Sequence, residues 1–337
     1  MTNASRLGRL IDMGEISVRE ATEADGPLLS DIERRTPLQL GEATLVIDRG
    51  DDYFAAARLM GEATVLIAEI DGVPAGVFCA AAHPSMIGGV ERRMLYIHHA
   101  RISPEAQNQG LGKRFGDMIR NKFAGQTDSN YFYISPGNVQ SQAFARRAEN
   151  RWSIQPALID LETSSMAGAS VGRPSTPDDA QRIVAMLNAA HSGEEMFLPY
   201  TVESLSARLD RAPSQYSWDR VWLTGHAVVG VWPEGQWIST RLTLAGGESR
   251  ESRGAAVLDF GYEPGGEHDF LGLLRAWCRW LHERGMSSLS LFSSPGARHW
   301  SLLSPLGEVR LFDFWTPAIP EPETAVGHGV YVDHIYF

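Results

Sequence analysis

A glycine turn between a strand-like segment and a helix-like one is the most constraining feature of this sequence. The stretch ARISPEAQNQGLGKRF, residues 100–115, has two glycines one residue apart. Residues 92–102 before it read as a long strand, whereas 110–124 after it have apolar residues at helical spacing. The first amides of a helix lack internal partners and carry partial positive charge. Because glycine has no Cβ, the backbone there can close around an anion, so the stretch predicts a phosphate cradle.

This turn differs from two common nucleotide-binding glycine motifs. It lacks the G-x-x-x-x-G-K-[ST] order of a P-loop. It also lacks the third glycine and the downstream acid of a dinucleotide site. Lys113 and Arg114 follow the glycines and add positive charge.

Composition and charge narrow the class of protein. The chain has 337 residues, 43% of them hydrophobic, which suits two globular domains. Its formal charge of −11 argues against a nucleic-acid partner, because phosphate backbones are bound by basic surfaces. It has no apolar run of about 18 residues and no apolar N-terminal signal segment. Cys79 and Cys278 form no disulfide framework and no metal-ligand spacing. We therefore expect a cytoplasmic protein with no metal and no membrane partner.

The order of the elements predicts a mixed α/β domain over residues 1–163. The predicted elements are a strand and helix over 16–35, a helix over 51–61, a hairpin over 63–82 turning at Asp71-Gly72, the strand and helix around the glycine turn, a strand over 130–135 and a helix over 138–149. Residues 164–170 are mostly small and polar and predict a linker.

The remaining residues, 171–337, repeat features of the first half in the same order. The echoes are Val18, Thr22 and Asp25 with Val171, Ser175 and Asp178; Ile102-x-Pro104 with Tyr262-x-Pro264; and Ser135-Pro136-Gly137 with Ser294-Pro295-Gly296. Three matches in order, at nearly constant spacing, predict a whole-domain duplication.

The glycine turn and its flanks resemble the signature of the GNAT superfamily of acyl-CoA acyltransferases. The family pattern [QR]-x-x-G-x-[GA], after a strand ending in V/I-x-P, stands here as Gln107 to Gly112 after Ile102-x-Pro104. The start V-R-E-A-T-E-A-D also looks like the family's first strand and helix. The resemblance covers residues 16–163. It implies an α/β (α+β) protein with a tandem duplication of the GNAT fold, each copy a mixed, mostly antiparallel sheet flanked by helices.

The resemblance also implies acetyl-CoA, or a related acyl-CoA, as co-substrate in a cleft between the fourth and fifth strands. Its pyrophosphate would lie on the amides of the glycine turn, and its pantetheine arm would pair with the fourth strand. Asn138 would face the arm, although a helix N-cap is an equally expected role for it. The candidate cofactor-binding residues are Ala100, Ile102, Gln107, Asn108, Gln109, Gly110, Leu111, Gly112, Lys113, Asn138, Ser141 and Phe144.

Catalytic groups are less clear from the sequence. An amine that attacks a thioester must lose a proton, so a base near the fourth strand is expected. The strand positions where the family commonly has its base hold Tyr96 and His98, and His98 is preferred for its near-neutral unperturbed pKa. Strand alternation would place both with Ala100 and Ile102 on one face, and a structural His99 on the other. A satisfied polar group inside the fold is the alternative role for His98.

The family's general-acid tyrosine is missing from its expected position. Ala145 stands there, so water or another residue would have to protonate the leaving thiolate. This absence keeps open a non-catalytic acetyl-CoA-binding protein as a second function.

The second copy departs from the family at the cofactor site. Aligned through Pro264, it has Glu267-His268-Asp269-Phe270-Leu271-Gly272 at the glycine turn, and Ala297 answers Asn138. Two carboxylates there would repel a pyrophosphate, so we expect no ordinary CoA site. Ionisable groups remain at Asp259, His268, His299 and Asp313.

The two-domain layout resembles that of mycothiol synthase and of tandem acyltransferases in actinomycete antibiotic clusters, including the clavulanic acid cluster. The match is one of layout. We expect an acetyl-CoA-dependent N-acetyltransferase acting on a small-molecule amine, with antibiotic biosynthesis as one setting and a homodimer as one assembly. In a third alternative, acetyl-CoA is structural in the first domain and the second performs the chemistry.

Overall fold

The computed structural model describes residues 15–145, 151–166 and 171–337. Its first half follows the predicted order of strands and helices. The elements are β1 (Ile16–Glu20), α1 (Gly26–Arg35), β2 (Leu38–Leu40), β3 (Ala43–Asp48), α2 (Ala55–Met60), β4 (Glu62–Ile70), β5 (Val73–Ile87), β6 (Val90–Ile102), α3 (Leu111–Lys122), β7 (Ser129–Ile134), α4 (Val139–Ala145) and β8 (Ala157–Glu162). The hairpin turns at Asp71 and Gly72, both with positive φ, as the Asp-Gly sequence predicts. The predicted helix over 138–149 is described as far as Ala145.

The second half continues the mixed α/β pattern. Its elements are α5 (Thr163–Met166), β9 (Arg173–Pro174), α6 (Ala180–Ala190), α7 (Val202–Arg211), β10 (Val221–Leu223), β11 (Ala227–Trp232), β12 (Ser239–Thr243), β13 (Ser249–Ser252), β14 (Gly254–Tyr262), α8 (Glu267–His282), β15 (Ser288–Ser293), α9 (Trp300–Leu303), β16 (Glu308–Leu311), β17 (Asp313–Trp315) and α10 (Glu323–His328). Of the predicted linker, 164–166 belong to α5 and 167–170 lie outside the described residues. The fold is therefore of the predicted mixed α/β class.

Two large sheets carry the two halves, and each takes a strand from the other half. Their strand orders are β1-β4-β5-β6-β7-β17 and β16-β8-β15-β14-β11-β10-β9. Strand β17 pairs with β7, whereas β8 lies between β15 and β16. A smaller sheet, β13-β12-β3-β2, also joins strands from both halves. The predicted domain boundary at residue 163 therefore does not coincide with a division of the sheets.

The first sequence echo is present in the structure, but one residue away from the predicted register. Arg19 pairs with Asp25 at 2.8 Å, and the Asp25 carboxylate accepts a hydrogen bond from the Thr22 amide. The same contacts recur in the second half, where the Arg–Asp distance is 2.7 Å. The residues that make them are Arg173, Thr176 and Asp179, so the predicted counterparts Val171, Ser175 and Asp178 were wrong. Each carboxylate accepts a hydrogen bond from the amide of the threonine at a helix start, which explains why the pattern R-x-x-T-x-x-D recurs.

The other two echoes hold equivalent places. Strands β6 and β14 end at Ile102 and Tyr262, and a Ser-Pro-Gly turn follows both β7 and β15. The duplication itself stays a prediction. Within the described residues, no helix is long and apolar enough to span a membrane.

Candidate functional site

Strands β6 and β7 form a V-shaped opening in the first sheet. They pair in parallel over 94–96 and 129–131 and then separate. Beyond Tyr96, β6 continues to pair with β5 on its other side. In the described part of the chain, the edge of β6 that faces β7 over 97–102 therefore pairs with no strand. Such an edge can bind an extended ligand through backbone hydrogen bonds.

A cleft of about 1260 Å³ fills this opening. It brings together seven of the predicted site residues: Tyr96, His98, Ala100, Ile102, Gly112, Asn138 and Ser141. The remaining described ones, Gln107, Asn108, Gln109, Gly110, Leu111 and Lys113, form the glycine turn and the start of α3 without lining the cleft. The side chain of Phe144 lies outside the described residues.

The start of α3 has the backbone conformation that the glycine turn requires. Gly110 is the N-cap residue with φ of 85°, and a Cβ built on it would meet no atom within 4 Å. The first turn of the helix contains no acidic residue, so the positive end of its dipole is not offset. Lys113 pairs with Asp117 at 2.8 Å and is largely exposed. Leu111 is buried, which leaves its amide as its contribution to a site.

Asn138 has the N-cap role expected as an alternative. Its Oδ1 accepts a hydrogen bond from the Ser141 amide at 3.0 Å. The residue also lines the cleft, so capping and facing a ligand are compatible.

A β-bulge changes which residues of β6 share a face. The pairing with β5 shifts between Val77 and Cys79, opposite His99, which has a φ of 48°. Tyr96 packs in one core cluster, whereas Ile102 packs against the cluster on the α3 side. The prediction that these residues share one face was therefore wrong, because the bulge inserts one residue into the alternation.

The same bulge brings His98 and His99 together instead of separating them. Their rings lie 4.5 Å apart, and both line the cleft. The guanidinium of Arg49 donates to His99 Nε2 at 2.6 Å and to Glu33 at 2.8 Å. This ion pair holds His99 in place, as a structural role requires.

His98 is the histidine with free nitrogens. Both of its ring nitrogens are buried and have no hydrogen-bond partner in the described part of the chain. Its ring stacks on Tyr96 at 4.7 Å. Burial, with smaller contributions from Arg49 and Arg101, lowers the pKa of His98 to about 3. The ring is therefore neutral at neutral pH, and its unprotonated nitrogen is free to accept a hydrogen bond.

Buried histidines should make stability depend on pH. Burial is the largest cause that lowers the pKa of His83 to about 4 and those of His98 and His334 to about 3. The unfolded chain takes up these protons near pH 6.5, so the free energy of unfolding should fall as pH drops from about 6.5 towards about 4. Each histidine adds a slope of up to about 1.4 kcal/mol per pH unit.

Chemical denaturation at several pH values in this range measures that slope. The His98→Phe variant should show a smaller slope than the wild type. Equal slopes in the two proteins would contradict the assignment for His98.

Several residues that line the cleft or support it were missed from the sequence. Arg49 was missed because its contact with His99 spans two distant segments. Tyr133 lines the cleft on β7, and its ring lies 5.9 Å from that of Tyr96. Its position could have been found by alternation with Tyr131 in the segment NYFYIS. Ala145, which stands at the expected position of the general-acid tyrosine, is fully buried.

The small sheet supplies an apolar wall that was also missed. Its cleft-lining residues are Leu38, Leu40, Leu45 and Ile47. They alternate along β2 and β3, so one face of this sheet is turned to the cleft. Leu158, Phe312 and Phe337 are among the apolar lining residues from elsewhere in the chain.

The second half repeats this arrangement of strands, but a side chain occupies the opening between them. Strands β14 and β15 pair in parallel over 254–256 and 288–290 and then separate. There the Nε2–H of His191 donates to the Phe260 carbonyl at 2.9 Å. A side chain thus occupies the strand edge that a pantetheine arm would need.

Helix α8 begins earlier than the alignment through Pro264 predicted. It starts at Glu267, and Phe270 is buried in the core instead of standing at the helix start. Glu267 and Asp269 lie in the first turn, where they offset the dipole and repel an anion. The expectation of no ordinary CoA site therefore has a physical basis here, although its stated register was wrong.

The other ionisable candidates of the second half differ in burial and in hydrogen-bond partners. Asp259 accepts hydrogen bonds from Tyr200, Tyr216 and Arg208, and Asp313 from Gln142, Gln155 and Arg151. His268 is exposed on α8, and His299 is buried.

Comparisons with known proteins agree with this geometry. Residues 30–148 match the model of the acetyltransferase (GNAT) family. No curated protein matches the sequence. The fold is similar to that of Saccharomyces cerevisiae N-myristoyltransferase with bound myristoyl-CoA, at 8% identity over 98% of this chain and 92% of that chain, with a TM-score of 0.61. A GCN5-related N-acetyltransferase from Sphaerobacter thermophilus is 11% identical over 92% of this chain and 98% of that chain, with a TM-score of 0.52. The chain thus has a GNAT-type fold, with the family match in its first half.

Proposed function

We propose that the first-half cleft transfers an acyl group from an acyl-CoA to an amine. The observation that carries this proposal is the opening between β6 and β7, which combines a free strand edge with an acid-free helix N-terminus capped by Gly110. The pyrophosphate would lie on the turn amides, and the pantetheine arm along β6 near Ala100 and Ile102. The match of residues 30–148 to the acetyltransferase family supports the same chemistry.

In this proposal the reaction needs no covalent enzyme intermediate. The amine nitrogen attacks the thioester carbon, backbone amides near Ile102 polarise the carbonyl, and the C–S bond breaks as the C–N bond forms. His98 accepts the amine's proton. Tyr133 is the proposed proton donor for the leaving thiolate, because it lines the same cleft and its ring lies 5.9 Å from that of Tyr96.

The acceptor and its setting remain part of the proposal. A small-molecule amine is cationic before it reacts, and the chain's formal charge of −11 favours its approach. A cytoplasmic enzyme of specialised metabolism, such as antibiotic biosynthesis, would fit. The resemblance in layout to mycothiol synthase stays a prediction, as does a homodimer.

The apolar wall favours a second candidate, an acyl donor longer than acetyl-CoA. Leucine and isoleucine side chains of β2 and β3 line the cleft, whereas an acetyl group would cover little of this surface. The similar fold of the S. cerevisiae N-myristoyltransferase was determined with myristoyl-CoA bound. A panel of acyl-CoA donors with increasing chain length separates the two candidates.

The test of the proposed function uses two glycines that share a left-handed backbone conformation. Gly110 and Gly72 have φ of 85° and 76°, and a Cβ on either would meet no atom within 4 Å. Valine at either position should cost about 1–2 kcal/mol of stability, because its Cβ disfavours a left-handed backbone. Only Gly110→Val should also abolish tight CoA binding, since its side chain would occupy the proposed phosphate position.

Calorimetric titration with CoA and release of free thiol from acyl-CoA across a panel of amines provide the two measurements. Wild type and Gly72→Val should bind one CoA per chain and release thiol. Binding without thiol release for any amine would favour the non-catalytic alternative. Equal CoA affinity in both variants would contradict the site itself.

A further inference from the structure

Three electron-pair donors converge inside the second half, away from the proposed acyl-CoA cleft. They come from His191 after α6, Glu194 in the next turn and His299 at the start of α9. One ligand atom from each lies within 4.8 Å of the other two. His191, Glu194 and His299 are 2%, 6% and 1% exposed, so water cannot reach them freely.

The hydrogen bonds of His191 fix which of its nitrogens faces the cluster. Its Nε2–H donates to the Phe260 carbonyl at 2.9 Å. Its Nδ1 lies 3.0 Å from Glu194 Oε1. A histidine bound to a metal commonly donates its other N–H to a carbonyl or carboxylate, which orients the ring and fixes its tautomer.

A proton alone does not satisfy this cluster. It can bridge His191 Nδ1 and Glu194 Oε1, but His299 Nδ1 lies 3.7 Å from the same oxygen. That distance exceeds a hydrogen bond, and His299 Nδ1 is buried without a partner in the described residues. A cation between the three atoms would serve all of them. Ligands about 2.0–2.2 Å from one ion lie up to roughly 4 Å apart, which suits 3.0 and 3.7 Å.

A similar trio in the first half shows what excludes a cation. Cys79, His98 and His99 also place ligand atoms within 4.8 Å of one another. However, the guanidinium of Arg49 donates to His99 Nε2 at 2.6 Å, which uses its electron pair and brings a positive charge. No arginine or lysine donates to the ligand atoms of the second-half trio within the described part of the chain.

We propose that His191, Glu194 and His299 bind one divalent transition-metal ion. Two imidazoles and one carboxylate suit Zn²⁺ best among the common ions. The ion would join the end of α6 to the start of α9 beside β14, where the first half leaves its cleft open. The expectation of no metal relied on local cysteine spacing and did not consider ligands this far apart in sequence.

Zinc binding by the full-length protein tests this proposal without any measure of acyl transfer. After removal of metals with EDTA, calorimetric titration with Zn²⁺ should give one tight site per chain, and Zn²⁺ should raise Tm. Cobalt at the same site should give visible absorption bands. His299→Ala should weaken Zn²⁺ binding by at least about 100-fold, since even partners outside the ligand set matter by 10–100-fold.

Two further variants keep this test decisive. His226→Ala breaks a surface His–Glu pair of 2.9 Å and should leave Zn²⁺ affinity unchanged. Glu194→Gln keeps the size of the side chain and should also lose the site, which covers the case in which His299→Ala does not fold. Absence of a tight zinc site in wild type, or equal affinity in wild type and Glu194→Gln, would overturn the proposal.

Discussion

The His98→Ala variant is expected to lower kcat of acyl transfer by roughly 10²–10⁴-fold while CoA affinity stays nearly unchanged. His98 lines the cleft at the bulge in β6, and both of its ring nitrogens are buried without a partner in the described residues. A neutral imidazole in that position can take a proton from an attacking amine. Its loss removes that step but none of the amides proposed to hold CoA. Steady-state kinetics combined with CoA titration measure the two effects separately.

The control is His268→Ala, on the exposed face of α8. It should leave both kcat and CoA affinity unchanged. Should activity persist in His98→Ala and fall in His268→Ala, the chemistry would lie in the second half, with the first-half acyl-CoA largely structural. A parallel loss of CoA affinity in His98→Ala would instead indicate a packing role.

The second large effect is expected at Arg208, where substitution with Met should cost about 3–5 kcal/mol of unfolding free energy. The guanidinium donates to Asp259 at 3.1 Å and to both carboxylate oxygens of Asp333 at 2.6 and 2.9 Å. Asp259 is 2% exposed, so Met would leave a charge in the protein interior without its counter-ion. Breaking a buried pair from one side is costly for this reason.

Urea denaturation of Arg208→Met and Arg173→Met provides the comparison. Arg173 forms the same kind of pair with Asp179 at 2.7 Å, but its side chain is 55% exposed. Water solvates the Arg173 guanidinium there, and Asp179 keeps its hydrogen bonds from Thr176, so Arg173→Met should cost much less stability than Arg208→Met. Similar losses in the two variants would show that burial of the Arg208 pair is not what makes it important.

Features that depend only on a short segment of sequence could be predicted, and the structure contains them. The hairpin at Asp71-Gly72 and the helix after Gly110 follow from turn chemistry and apolar spacing within short windows. The cleft between β6 and β7 was expected from the resemblance to the GNAT superfamily and not from the glycine stretch itself. The assignment of residues Gln107 to Gly112 as phosphate ligands stays a prediction.

Features that depend on distant pairing or on a single inserted residue could not be predicted in this way. The bulge at His99 cannot be recognised from the apolar pattern of β6, yet it changes which side chains share a face. The start of α8 was misplaced because the alignment assumed a loop of constant length. The acidic residues Glu267 and Asp269 were an available signal, since acids favour the first turn of a helix.

The exchange of β8 and β17 between the two large sheets bears on how the chain folds as it is synthesised. The first sheet receives its last strand, Asp313–Trp315, close to the end of the chain. Until those residues leave the ribosome, the edge of β7 that pairs with β17 is open. Strand β8 is also unpaired until β15 and β16 have been synthesised. Exposed strand edges invite pairing with other chains. Neither large sheet can therefore be complete when only the first half has been translated. The first half needs β17 and the second half needs β8, so the two halves do not fold as independent units.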